Sequence, residues 1–308
     1  MIRPPALGPD ARIALVAPAG PLGEGAVDRA EARIRSWGWE PIVGRHSRGR
    51  TRYLSGSDEQ RAGDMNDALR SGDNDAIWCL RGGYGTMRIV DSIDWDAIAA
   101  RPRPLIGYSD NTALHLAMQR IGIVSFHGPH PAVDDLTNFS ADQLRAQLTG
   151  SGPRGPLPFP PGEHATAITG GTAEGRLVGG NLSLVAATLG TPYAIQAAGA
   201  ILFLEEVGEP AYSIDRMFTQ LRLAGVLDEV AGIVLGAFTE QTDEGDPHIP
   251  SCLEVASDRL ATLGVPVAYG FPFGHIDDSW TLPLGVRARL YADRGAVELL
   301  EAAVVSEL

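Results

Sequence analysis

Ser109 stands in the run Leu105-Ile106-Gly107-Tyr108-Ser109-Asp110-Asn111, where a short apolar stretch gives way to a helix-like one. A hydroxyl on such a strand-to-helix turn lies at the carboxyl edge of a sheet. The N–H groups that follow it, and the positive end of the helix, favour an anion there. That arrangement suits a serine nucleophile with an oxyanion hole. The elbow pattern G-x-S-x-G is half matched, because Asn111 replaces the second glycine. The same position also suits a simple helix cap, and spacing alone does not separate the two.

A second loop, Arg81-Gly82-Gly83-Tyr84-Gly85, also follows a strand-like run. Its glycines permit close backbone approach, so one N–H could complete an oxyanion hole; a plain tight turn has the same composition. Arg81 could hold a substrate carboxylate, or form a surface ion pair. Glu205 and Glu206 end the apolar run Ile201–Leu204. Adjacent strand residues face opposite ways, so only one of them can orient a histidine; both could instead be solvated charges. His275, in Gly270-Phe271-Pro272-Phe273-Gly274-His275, is a candidate base on a rigid turn. His127 and His130 are rivals, and His115 lies within a helical run. His127-x-x-His130 with Asp134 and Asp135 is a weak metal pattern. Neither a dinucleotide glycine fingerprint nor a P-loop lysine accompanies the glycine loop.

These residues need a sheet to hold them. Ala11–Ala17, Pro41–Val43, Ala76–Leu80, Pro104–Gly107 and Val124–His127 read as strands. Helical runs alternate with them at Ala26–Trp39, Ser57–Ser71, Met87–Ile93 and Thr112–Ile121. Ser57 and Gln60 form a capping-box pair. The alternation predicts an α/β fold with a mostly parallel sheet, whose sites gather at the strands' carboxyl ends. Five prolines and interleaved glycines in Gly150–Gly162 predict an inter-domain linker. Beyond it, Ala198–Glu205, Val230–Ala237 and Val265–Tyr269 read as strands, and Ser213–Leu223 as a helix. Arg287–Tyr291 and Ala296–Leu300 read as a hairpin.

Composition sets the class. The chain has 308 residues, 44% hydrophobic and 20% charged, so it can bury a large core without a structural metal. Its net charge of −13 makes it a poor general binder of nucleic acid or anionic membranes. Cys79 and Cys252 are far apart and outside any C-x-x-C pair, so a redox or zinc centre is not expected. No apolar run approaches the ~20 residues of a membrane span, and Asp10 and Arg12 interrupt any signal-peptide core. A cytoplasmic protein is the expectation.

Taken in order, the segments ALVAP (14–18), RGGYG (81–85), IGYSDNT (106–112), FHGP (126–129) and EGRLVGGNL (174–182) resemble the LD-carboxypeptidase family of serine peptidases, which includes the microcin-immunity peptidases. LFLEEVGEPAYSIDR (202–216), GIVLG (232–236), GFPFGH (270–275) and LPLG (282–285) continue the match. The resemblance implies a Rossmann-like domain over residues 1–149, a linker over 150–172, and a smaller β-rich α+β domain over 173–308. It implies a triad of nucleophile Ser109, base His275 and acid Glu205, the first carboxylate of LEEVGE. It further implies an oxyanion hole from the backbone N–H groups of Asp110 and Gly83, with Gly82 a close alternative. No metal or organic cofactor is implied. The implied substrate is a murein tetrapeptide losing its terminal D-alanine in cell-wall recycling. Arg81 and Glu209 would read its charged ends, and the enzyme would be a homodimer. Two other readings stand beside this one. One is a microcin-type peptidase that cuts aminoacyl-nucleotide amides. The other is a non-catalytic binding protein, in which Ser109 only caps a helix.

Overall fold

The computed structural model describes residues 1–152, 155–243, 245 and 247–306. Its elements begin β1 (Arg12–Val16), α1 (Ala26–Ser36), β2 (Glu40–Val43), α2 (Asp58–Arg70), β3 (Ala76–Cys79), α3 (Thr86–Ile89) and α4 (Trp95–Ala100). There follow β4 (Leu105–Gly107), α5 (Thr112–Arg120), β5 (Ser125–His127), α6 (Asn138–Thr149), β6 (Gly155–Pro156), β7 (Thr166–Thr169) and β8 (Thr172–Asn181). The chain continues through α7 (Leu182–Ala187), β9 (Ile201–Val207), α8 (Ala211–Leu223), β10 (Gly232–Thr239), α9 (Cys252–Leu260) and β11 (Val267–Tyr269). It closes with β12 (Leu282–Leu284), β13 (Arg287–Tyr291) and β14 (Ala296–Leu299). These elements form two compact units of mixed α/β structure.

The first unit is built on a sheet of order β12-β5-β4-β3-β1-β2. Strands β1 to β5 pair in parallel, as βαβ crossovers demand. β1, β3, β4 and β5 are short and buried on both faces, while β2, at the sheet edge, is only partly buried. Met65 and Leu69 of α2 and Leu114 and Met118 of α5 pack with Ile77, Cys79 and Leu105 in one cluster. The capping box at Ser57 and Gln60 is present at the start of α2. α1 ends at Ser36, before Trp39, because Gly38 takes φ +82 and turns the chain into β2. The helical run expected at Met87–Ile93 is a single turn followed by a 3₁₀ turn over Val90–Ser92.

The second unit carries a mixed sheet of order β6-β14-β13-β8-β9-β10-β11-β7. β8, β9, β10 and β11 are parallel and central. The β13–β14 hairpin turns at Gly295 (φ +55) and pairs antiparallel on β8. Helices α7, α8 and α9 follow strands in the same alternation that marks the first unit.

The boundaries differ from the expected ones. Residues 150–172 are not a bare linker: β6 lies on the sheet edge, where a proline needs no ladder partner, and β7 pairs with β11. Pro153 and Arg154, within that stretch, lie outside the described residues. Two late segments, Thr281–Pro283 and the stretch from Ala303, join the first unit. β12 extends its sheet beside β5, and Val305 bridges Pro5. A linear division could not foresee chain that returns.

Candidate active site

In the first unit, β4 delivers the chain to Ser109 through extended Tyr108. Ser109 takes φ +61, a left-handed conformation that non-glycine residues seldom adopt. A 3₁₀ turn over Ser109–Asn111 then runs straight into α5. Such a strained strand-to-helix turn is one way to present a hydroxyl above a sheet edge. Asn111, which breaks the G-x-S-x-G pattern, is buried, and its Oδ1 meets His130 Nε2 at 2.9 Å. A Cβ on Gly107 would come within 2.6 Å of that oxygen, so the side chain of Asn111 occupies space the preceding glycine leaves open.

The glycine loop lies against the serine. A Cβ on Gly82 would stand 2.8 Å from Ser109 Cβ, 3.0 Å from its Oγ and 3.3 Å from the Asp110 nitrogen. The Gly82 carbonyl accepts the Gly20 N–H at 3.0 Å. Across that trans peptide the Gly83 N–H points the opposite way, away from Gly20. The Asp110 side chain is buried and receives the Thr86 backbone N–H at 2.8 Å and the Thr86 hydroxyl. Burial pushes its pKa up, against those two hydrogen bonds. Arg81 is exposed, and its guanidinium donates to the Pro21 carbonyl.

The other histidines of this unit have structural surroundings. His115 is buried, with Nε2 on the Gly107 carbonyl at 2.8 Å and Nδ1 on the Ser125 hydroxyl at 2.9 Å. Burial pulls its pKa down to about 4, so the ring is neutral and Nε2 carries the proton. His127 is buried edge-on to Tyr108, and His130 lies on the Tyr108 ring at 4.4 Å. Asp134 pairs with Arg29 at 2.6 Å. Among the described residues, no group of three or more His, Cys, Asp or Glu could hold a metal. Both cysteines are buried and form no disulfide among the described residues, and burial pushes the Cys79 thiol up, which leaves it inert.

In the second unit, β9 carries Glu205, which is fully buried. Its Oε2 lies 2.7 Å from His275 Nδ1. Gly274 (φ +112) makes this approach possible, since a Cβ there would fall 2.8 Å from Glu205 Cβ and 2.9 Å from Oε2. The turn before it is anchored by buried Phe271 and Phe273 and by the Trp280 N–H on the Pro272 carbonyl at 2.6 Å. With Nδ1 donating to a carboxylate, the neutral ring presents its lone pair on Nε2. Burial lowers the His275 pKa, but the hydrogen bond and charge of Glu205, with Glu206 and Glu240 adding, outweigh it. The net direction is up.

Glu206 faces the other way. Its carboxylate accepts Asn181 Nδ2 at 2.9 Å, the Ser183 N–H at 2.7 Å and its own Val207 N–H at 3.0 Å, closing the start of α7. Burial raises its pKa. Of two adjacent glutamates, one meets a histidine and one caps a helix, as strand alternation requires. Glu209 accepts the Ser213 hydroxyl at 2.5 Å in the first turn of α8. His275 also lines a cavity of about 700 Å³ with Phe238, Tyr269, Glu163, Asp277 and Asp278.

Residues 13–128 match the model of the LD-carboxypeptidase N-terminal domain, and residues 174–290 match that of the C-terminal domain. The chain belongs to the LD-carboxypeptidase family. A Streptomyces coelicolor relative, named provisionally as a carboxypeptidase, is 41% identical over 99% of this chain and 98% of its own. The murein tetrapeptide carboxypeptidase of Pseudomonas aeruginosa is 34% identical over 92% of this chain and 94% of its own. The microcin C7 self-immunity protein MccF of Escherichia coli is 29% identical over 81% and 80%. A solved MccF structure in complex with aspartyl sulfamoyl adenosine aligns with TM-score 0.91 at 24% identity, covering 99% of this chain and 100% of that one. At that identity the likeness is one of fold.

Several residues that shape the surroundings of Ser109 in the first unit, or of Glu205 and His275 in the second, escaped the sequence reading. Gly20 and Thr86 brace the glycine loop from either side, and Gly274 admits Glu205. Arg61 is buried inside α2 and donates to backbone carbonyls of loops before and after it. The glycine directly before His275 was a usable signal. An arginine in a polar helix was not, because it reads as a surface charge.

Proposed function

We propose that the chain is a serine carboxypeptidase that removes the terminal D-alanine of a murein tetrapeptide. The observation that carries the reading is the 2.7 Å hydrogen bond from His275 Nδ1 to buried Glu205. It fixes the tautomer in which Nε2 can accept a proton. In the proposed reaction, Nε2 takes the Ser109 Oγ proton as that oxygen bonds to the peptide carbonyl carbon. The Asp110 and Gly83 N–H groups stabilise the oxyanion. His275 then gives its proton to the departing D-alanine nitrogen as the C–N bond breaks. A water, losing its proton to His275, attacks the Ser109 ester, and the serine recovers a proton as the acyl group leaves. No step draws on a metal or an organic cofactor. Arg81 and Glu209 are the proposed readers of the charged ends of the peptide. A guanidinium has five N–H donors, so the Pro21 contact leaves others for a carboxylate. Cytoplasmic cell-wall recycling and a homodimer belong to the same proposal and rest on the family resemblance.

The murein substrate is favoured by higher identity over more of the chain to the Pseudomonas carboxypeptidase than to MccF. The second reading, cleavage of an aminoacyl-nucleotide amide, draws on the 29% identity to MccF, a protein solved with aspartyl sulfamoyl adenosine. The test offers purified wild type and Ser109→Ala a murein tetrapeptide and an aminoacyl sulfamoyl adenosine, with products read by mass spectrometry. D-alanine release by wild type alone supports the proposal. Cleavage of only the nucleotide amide transfers it to the second reading. Equal release by both proteins removes Ser109 as nucleophile, and no release from either substrate leaves the binding-protein reading.

A further inference from the structure

We infer that Arg61 is a positioning residue for the glycine loop beside Ser109, an assignment that rests on the serine-hydrolase reading above. Arg61 lies one turn into α2 and is only 2% exposed. A buried guanidinium is tolerated only when its donors are satisfied. Here Nη1 donates to the Gly85 carbonyl at 2.8 Å and to the Pro18 carbonyl, and Nε to the Gly56 carbonyl at 3.3 Å. Nη2 pairs with the carboxylate of Asp58, which Arg88 also holds, at 2.7 Å. The three carbonyls come from three separate loops: after β1, before α2, and after β3.

The third of these is the glycine loop. Gly85 takes φ +134, and a Cβ there would meet Arg61 Nη1 at 2.9 Å and Leu54 Cδ2 at 2.6 Å. The arginine therefore fills the space a side chain would need. The next residue, Thr86, gives its N–H and hydroxyl to the Asp110 carboxylate. At the other end of the loop, Gly82 abuts Ser109 and the Asp110 nitrogen. Arg61 thus fixes one end of a five-residue loop whose other end faces the proposed nucleophile. The planar fork of a guanidinium can bridge three carbonyls and a carboxylate at once; the compact ammonium of lysine cannot reproduce that geometry.

Arg61→Lys and Arg61→Met test this in the full chain, assayed well below each variant's melting temperature. The readouts are D-alanine release, resolved into kcat and KM, and the rate of Ser109 labelling by a fluorophosphonate. A displacement of about 1 Å in a reacting constellation lowers rate by about 10²-fold, so kcat and labelling should fall by about that factor. KM should stay within about threefold of wild type, because Arg81, the proposed carboxylate reader, opens the loop at the end away from Arg61 and keeps its own bond to the Pro21 carbonyl, while the oxyanion donor acts in the transition state. Lysine should restore much of the melting temperature and little of kcat. Gly85→Ala reaches the same contact from the loop side, and should lower kcat alike even where the arginine variants fail to fold. If folded variants keep kcat and labelling within about threefold while only melting temperature falls, Arg61 is a structural cation and the inference is overturned. Wild type that neither releases D-alanine nor labels at Ser109 refutes the hydrolase reading itself, and this assignment with it.

Discussion

Glu205→Gln probes the dyad with the smallest change of shape. Glu205 Oε1 has no hydrogen-bond partner among the described residues, whereas Oε2 meets His275 Nδ1 at 2.7 Å. A glutamine amide has two ways to sit there. With its oxygen toward Nδ1, its NH₂ is buried with no acceptor, which costs about 1–3 kcal/mol. With its NH₂ toward Nδ1, the new donor is satisfied and the amide oxygen takes the place of an Oε1 that already lacks a partner, but the ring proton must move to Nε2. The second arrangement wins, and Nε2 then has no lone pair with which to deprotonate a serine. The comparable carboxylate-to-amide change in a serine triad lowers kcat by about 10⁴, or about 5.5 kcal/mol. If the first arrangement prevailed, the lost charge-assisted bond alone, about 1.5–3 kcal/mol, would give a fall of about 10- to 10²-fold. The expected fall in kcat for D-alanine release is therefore about 10⁴-fold.

The pH dependence supplies a second readout. In the proposed mechanism His275 must be neutral, and its pKa is raised in the wild type, so kcat/KM should rise with pH through an inflection above 6.5. Without the Glu205 charge, burial remains and the imidazole pKa should drop below 6.5. Nitrogen-15 NMR of labelled histidine reads both tautomer and pKa. A variant that keeps kcat within tenfold of wild type, or an unmoved His275 titration, would refute the reasoning.

Ser109→Gly should relieve the left-handed strain, while Ser109→Ala keeps it. The glycine variant should be the more stable of the two by about 1 kcal/mol in urea denaturation, with both inactive. Gly82→Ala places a methyl 2.8 Å from Ser109 Cβ and should lower kcat by about 10²-fold or more, with little change in circular dichroism. Glu206→Gln points an NH₂ at backbone or amide donors on either oxygen. It should cost about 1–3 kcal/mol of stability by thermal or chemical melting, while folded protein retains most of its activity.

The alternation of the first unit was legible because parallel strands buried on both faces leave uninterrupted apolar runs, as at Ala76–Cys79. Glu205 and His275 were legible as candidates from their places at a strand end and on a proline-glycine turn. Their pairing was implied by the family resemblance alone, since seventy residues separate them and no local pattern links them. α9 was overlooked although Ser251 and Glu254 form a capping box, because its short amphipathic stretch follows a polar loop. β8 was overlooked because its glycines dilute the β-branched signal. The strain at Ser109 and the burial of Arg61 depend on neighbours from distant loops, so single-residue propensities carry no trace of them.

The late return of β12 to the first sheet has a consequence for biosynthesis. Ser109 and the glycine loop are translated early, but the strand beside β5 is not made until residues 282–284. At roughly 5–20 residues per second, the ribosome takes on the order of ten to thirty seconds to travel from His127 to Leu284. During that interval β5 is an open sheet edge, the kind of surface that recruits other strands. The nascent chain therefore needs shielding at that edge, and an N-terminal fragment stopping near residue 149 should be prone to aggregation. The same delay keeps the sheet that carries Ser109 incomplete until Glu205 and His275 have both been synthesised.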